Sequence, residues 1–537
     1  MRIIPILVGV FLLGVSMVQA DEGHHHALSE KEVGSVHFTT SCSKAVQTGF
    51  QRAVALLHSF QYEQARAAFT EISKQDAQCA MAQWGVAMSH YHGLWHNGDL
   101  TAGREALHRA QEIASQNART TARERAYIDA LSEIYKEDGK GEDAHAQAFE
   151  QEMGALQASY SDDTEAAIFH ALMLDVTAPK TDKTFTNQRK CGEILEPIFA
   201  RQPNHPGVAH YIIHCYDNPV LAERGLGAAR KYASIAPASA HANHMPSHLF
   251  TRVGSWDESI QSNLRSAELA QQAEATSLNG EARDQRLHAM DYLEYAYLQD
   301  GRVSDARSIL DQMNSLQPVR GLTLTGDYAL AAVPARYTLE LGKWEEAARL
   351  RPRNESVPWA QAITWMAVGV GAARSNDVNR AGEAEQNLAT LRDAAREKNA
   401  YWSNQIEVQR REVAAWIAQA SGKLDEALAG MRSAAELEES MDKDAVTPGA
   451  VVPARELLAQ LLQVQGRPHD AFVEYEAVLK TAPNRFNALW GAASSAEAVG
   501  NMSAASTYFR KLTEIAVGAE RPELEIARRK TGVLARD

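Results

Sequence analysis

Residues 466–509, GRPHDAFVEYEAVLKTAPNRFNALWGAASSAEAVGNMSAASTYF, carry the plainest periodicity in the chain. Gly466, Ala471 and Tyr475 are answered 34 residues later by Gly500, Ala505 and Phe509, and Pro483 closes the first unit. A glycine in a turn, a small residue where two helices cross and an aromatic ring one turn further on describe a helical hairpin that stacks on copies of itself. The same punctuation recurs upstream: Phe60-Gln61-Tyr62 with Ala65 and Phe69, Gly254-Ser255-Trp256 with Ser259, Gly301 with Ala306, Gly342-Lys343-Trp344 with Ala347, and Gly422 with Ala427. From Gly254 to Gly301 the spacing is 47, from Gly301 to Gly342 it is 41, and from Gly422 to Gly466 it is 44. The units are therefore degenerate and carry insertions.

The 34-residue unit resembles the tetratricopeptide repeat. An amphipathic, Ala- and Leu-rich pattern runs through nearly the whole chain, without the Val/Ile/Thr alternation of strands. The expected fold is all-α, a right-handed superhelix of about twelve degenerate hairpins, with a helical tail from Pro522 to near Ala535 as its cap. Segments 177–186, 352–358 and 441–453, containing Pro or Asp, read as inserted loops. The expected organisation is a signal peptide at 1–20, a flexible His-containing segment at 21–41, a first array at 42–350 bearing a His/Asp groove, and a second array at 351–537.

Composition narrows the function. The chain has 537 residues, 45% hydrophobic and 23% charged, a globular balance with too much apolar content for disorder. Lys plus Arg number 54 against 68 Asp plus Glu, a net charge of −14, which speaks against nucleic acid as a partner. Four cysteines in a chain this long exclude a scaffold built on disulfides.

Met1 and Arg2 precede an apolar run from Ile3 to Val18, and Val18-Gln19-Ala20 places small residues at a cleavage site. These are the marks of a secretory signal peptide cut after Ala20. The run is short for a bilayer span and polar Asp21-Glu22-Gly23 follows it, so the expected mature protein is periplasmic or secreted, without a transmembrane segment. Export makes disulfides available. Cys42 and Cys79 are 37 apart, about one repeat; Cys191 and Cys215 flank Pro203 symmetrically, as across an antiparallel helix pair. Each pair reads either as a bridge or as two buried thiols.

The segments TSCSKAVQTGFQRAVALLHSFQYEQA, CAMAQWGVAMSHYHGLW, HPGVAHYIIHCYD, HMPSHLFTRVGSWDESI and PNRFNALWGAA make the whole chain similar to a family of exported bacterial tetratricopeptide-repeat proteins of unsettled activity. The resemblance implies the fold and the export. It brings no mechanism.

Of the 19 histidines, six fall between His205 and His248. His210 and His214 are i, i+4 with Asp217 at i+7; His244 and His248 repeat the pair 34 residues later. Counted back from the turn glycines, His241, His244 and His248 occupy the second, fifth and ninth places of one unit, and His288, Asp291 and Tyr295 the same places of the next. These places line the concave groove of such repeats. One row then reads His210–His244–Asp291 and the other His214–His248–Tyr295–Arg336, flanked by Asp217 and His241. Pro246 is expected in the first turn of its helix, leaving His241 and His244 on the approach.

Imidazoles and carboxylates converging from adjacent helices suit a divalent transition metal, Zn, Cu or Fe. The candidate ligands are His210, His214, Asp217, His241, His244, His248, His288 and Asp291. If the site is catalytic, Tyr295 and Arg336 are the candidates to stabilise developing negative charge. The weaker clusters are His90, His92 and His96, and His24–His26. P-loop, G-x-G-x-x-G, G-x-S-x-G and H-E-x-x-H motifs do not occur. Beside the metal reading stands an interaction scaffold whose groove holds a peptide or an envelope protein, with the histidines as contacts and no metal. A carbohydrate- or envelope-binding module is a third reading, resting on groove aromatics alone.

Overall fold

The computed structural model describes residues 28–95, 98–274, 280–316, 322–516 and 520–532; the signal peptide expected at 1–20, His24–His26 and His96 lie outside the described residues. At the diagnostic stretch, helices Pro468–Thr481, Phe486–Ala498 and Met502–Ile515 follow one another. Gly466 and Gly500 turn the chain at φ 71° and 81°, a left-handed conformation that glycine adopts without strain. Ala471 and Ala505 are buried at the crossings. The Tyr475 ring lies so close over Gly491 that an added Cβ would stand 2.2 Å from it. The 34-residue spacing thus records a packing rule: small residues where backbones approach, rings where they diverge.

The same construction continues through the chain. Among the described residues there are 27 α-helices, each packed on its neighbours in sequence, and no strand. The fold is the expected all-α superhelix of helical hairpins. Helix Pro522–Thr531 ends it, burying Leu524 and Ala527 in a cluster with Phe486 and Leu512. No described helix is long and apolar enough to cross a membrane. Both cysteine pairs are bonded, Cys42 to Cys79 with a Cα separation of 4.8 Å and Cys191 to Cys215 with 6.2 Å.

Two features differ from expectation. The described part of the segment expected to be flexible, residues 28–41, is packed. Ser35 donates its N–H to the Asn204 carbonyl at 3.0 Å, and the buried Phe38 ring meets Phe50, Trp84 and Tyr127. Burying such a ring stabilises by roughly 1.5–3 kcal/mol, enough to pin a short segment.

The second difference is closure. The expected concave groove is closed over, because the C-terminal units fold back on the central ones. Trp256 Nε1 donates to the Asn484 carbonyl at 2.9 Å and the Phe486 N–H to Gln299 Oε1 at 2.9 Å. Fully buried Arg485 bonds Glu456, Glu340 and the Tyr295 hydroxyl. Gly254, at φ 69°, serves both its turn and this contact, since a Cβ there would lie 2.3 Å from the Pro483 carbonyl. Two of the three inserted loops meet as well: the Asp442 N–H donates to the Lys180 carbonyl and Lys183 Nζ to that of Met441.

Candidate metal centre

Local sequence places the histidines. His205 caps helix Pro206–Cys215 by accepting from the Val208 N–H, and Pro206 opens it, which sets His210 and His214 on one face. Ser239 caps the short helix Ala240–His244. Pro246 then starts a new helix, Pro246–Val253, so His241 and His244 sit before the break and His248 after it. His288 lies on helix Glu281–Gln299.

These elements gather six imidazoles into two adjacent triads. In one, His210 Nε2 lies 3.1 Å from His214 Nε2 and 3.0 Å from His241 Nε2. In the other, His244 Nε2 lies 3.0 Å from His248 Nε2, and the His288 ring stands 4.3 Å from that of His244. Within each triad one nitrogen per ring falls within 4.8 Å of the others, a spacing that one ion can span. The triads adjoin, with the His214 and His248 ring centres 6.1 Å apart. Both follow one rule: the i, i+4 pair of one unit joined by the second-place histidine of the next, His241 in the first case and His288 in the second.

In three of the rings the opposite nitrogen is committed. His210 Nδ1 meets the His58 carbonyl at 2.6 Å, His244 Nδ1 meets Asn263 Oδ1 at 2.7 Å, and His248 Nδ1 meets Asp217 Oδ2 at 2.8 Å. A carbonyl and a carboxylate only accept, so these Nδ1 atoms carry the protons. Asn263 is oriented by its own Nδ2 donating to the Ser259 carbonyl, which leaves its oxygen for His244. The Nε2 atoms of His244 and His248 are therefore both lone pairs, facing each other. His288 is buried with neither nitrogen hydrogen-bonded. Outer acceptors that fix the tautomer while Nε2 points inward are the support that metal-ligating histidines receive.

None of the six side chains is more than 6% exposed. Burial, and then the proximity of the other rings, drives His210, His214, His241 and His288 well below the ordinary histidine range. Burial and His248 do the same to His244. Burial also lowers His248, against the pull of Asp217. At neutral pH the rings are uncharged and present lone pairs. A crevice of about 80 Å³, lined by His214, Asp217 and Lys443 among others, reaches the first triad.

The carboxylates expected beside them stand elsewhere. Asp217 lies behind His248, where Arg252 and Lys443 bond it. Against the effect of burial, Lys443 and Arg252 hold it well below the usual carboxylate range. Asp291 pairs with fully buried Arg336, which also bonds Glu294. Tyr295 receives a hydrogen bond from Arg485. Asp291, Tyr295 and Arg336 thus belong to a buried ion network next to the triads. The rows read along the repeat form only in part: the His214 and His248 rings adjoin and the Arg336 guanidinium lies over the Tyr295 ring, while His241 joins His210 and Asp291 turns to Arg336. Asn263, Tyr292 and Lys443 went unread. Tyr292 stacks on His248 and donates to the Thr447 carbonyl, and nothing in its local sequence sets it apart from the neighbouring tyrosines.

His58, Glu165 and His205 form a third close group. Here each ring nitrogen is matched: His58 to Tyr211 and Glu165, His205 to Glu165 and the Val208 N–H. This group is a structural strut. His92 stacks on Tyr62 at 4.0 Å, apart from both triads.

No protein-family model and no curated protein matches this chain. Among solved structures it is similar to yeast Tom70, with 13% identity over 75% of this chain and 96% of that one and a TM-score of 0.31. It is also similar to a monomeric mutant of IFIT1 with Gppp-AAAA, with 12% identity over 81% and 90% of the two chains and a TM-score of 0.36. Likeness at this level carries no functional argument.

Proposed function

We propose that this is an exported metalloprotein whose two tris-histidine groups, His210–His214–His241 and His244–His248–His288, each hold a first-row transition metal ion. The observation that carries the reading is the pair of bare Nε2 atoms of His244 and His248 at 3.0 Å, each ring locked by its other nitrogen. Two lone pairs held that close repel unless a cation lies between them. Three imidazoles without a carboxylate suit copper or zinc better than iron, whose open sites use two histidines and an acid. Ions held this way supply Lewis acidity and, for copper, one-electron redox chemistry. The chain's own residues exclude water around the rings and fix their direction. Rings buried this deeply are poor contacts for a peptide lying in an open groove. The two disulfides support an oxidising compartment, in keeping with the leader read at 1–20.

Elemental analysis of untagged protein, purified without a metal column, tests the reading. Stoichiometric copper or zinc that is lost in His248→Ala, with helicity retained, supports it. Protein that carries no transition metal and takes up neither ion on dialysis overturns it.

A further inference from the structure

A cavity of about 550 Å³ lies between the C-terminal helices and the loop at 441–453, within the size range of small-molecule sites. Helix Ala400–Ala420 presents Trp402, Gln409 and Glu412 to it, helix Pro358–Arg374 presents Trp359, and Glu438 comes from helix Leu424–Glu439. Glu412 is 1% exposed and its Oε2 has no hydrogen-bond partner; Gln409 Oε1 and Trp359 Nε1 are likewise buried without one. The Glu438 carboxylate accepts from the Ala454 N–H.

The cations at the cavity wall are engaged elsewhere. Arg252 bonds Asp217 and Asp442, Lys443 bonds Asp217, and Lys183 bonds the Met441 carbonyl. Among the described residues, then, no side-chain cation bonds Glu412 or Glu438. In the same cavity the Trp359 and Trp402 rings stack 5.8 Å apart, with the Tyr401 ring edge-on to Trp402 at 5.0 Å.

Unmatched carboxyl groups next to a wall of aromatic faces are complementary to a positive charge carried on an apolar body. We propose that this cavity binds an organic ammonium ion, its nitrogen at Glu412 and Glu438 and its body against Trp359 and Trp402. The site uses none of the triad histidines, and its wall residues Arg252 and Lys443 bond the Asp217 behind His248. Burial, then Glu438, pushes the Glu412 carboxyl well above its usual range, and burial raises Glu438 to about 7. The other charges acting on Glu438 are Glu439, Arg485 and Arg455, and both arginines are already paired with carboxylates. A bound cation therefore expels protons from the pair.

The test titrates the full chain with phenethylammonium and hexylammonium and with their neutral counterparts, phenethyl alcohol and hexanol, followed by tryptophan fluorescence and by calorimetry in two buffers. The expected result is at least about tenfold tighter binding of the ammonium forms, with buffer-dependent heat from proton release. Glu412→Gln, which keeps the shape and removes a buried acid, should lose that preference and the proton release while still binding the alcohols; Glu438→Gln serves if the first variant does not fold. Equal affinity for amine and alcohol, or no saturable signal from either ammonium up to about 1 mM, overturns the proposal.

Discussion

His244 Nε2 and His248 Nε2 stand 3.0 Å apart while their Nδ1 atoms are held by Asn263 and Asp217. Neutral rings with both protons committed outward cannot hydrogen-bond to each other, and the contact is favourable only around a cation. The same design, with Nδ1 held by a backbone carbonyl, recurs at His210.

If each triad holds its own ion, the wild-type chain binds two equivalents of metal. His210→Ala and His288→Ala should each retain one, and the double variant none. Metal titration monitored by absorbance and mass spectrometry under native conditions counts them. A wild-type chain that saturates at one equivalent contradicts the pairing of triads.

His288 offers a contrast between metal-free and metal-loaded protein. Both its nitrogens are buried without partners, each costing about 1–3 kcal/mol. His288→Leu should leave the metal-free chain as stable as wild type or more so. Metal should then shift the difference toward the wild type by about 2.7 kcal/mol at a hundredfold excess over Kd. Thermal melts with and without metal read that shift, and a variant that is less stable than wild type without metal, or a difference that metal does not change, refutes it.

Asp217 is the carboxylate behind the site. It is shared by His248, Arg252 and Lys443, the last from the loop 226 residues away. Asp217→Asn leaves a buried ammonium without its counter-ion, a loss of about 3–5 kcal/mol in urea denaturation of the metal-free chain. It also releases the orientation of His248, weakening metal binding by about 10- to 100-fold. Loss of less than about 1 kcal/mol would show that the loop does not depend on this contact.

Glu412 and Glu438 make stability depend on pH. Folding raises both carboxyls, Glu438 from 4.5 to about 7, by burial first. The folded chain binds the proton more tightly than the unfolded chain, so stability falls as pH rises from about 4.5 through about 7. Glu412→Gln/Glu438→Gln should flatten that decline between pH 5.5 and 8 in denaturant melts (about the window in which these carboxyls ionise). An unchanged slope would assign it to other groups.

Reading the sequence reached what nearest neighbours decide. Helices, turn glycines, the crossings at Ala471 and Ala505, and the 34-residue register of His210 with His244 all follow from contacts within a unit or between adjacent units, where spacing along the chain is spacing in space. The cysteine partners were legible for the same reason. What spacing does not encode is how a long stack closes. Whether Arg485 reaches Tyr295, whether Lys443 reaches Asp217, and whether the groove is closed over or stays open depend on small rotations accumulated over many repeats. Sequence therefore brought the histidines to one neighbourhood. Only the tertiary structure sorted them into two triads, moved Asp217 behind a ring and tied Asp291 to Arg336, because the break at Pro246 and the returning C-terminal units set directions that a linear period does not contain.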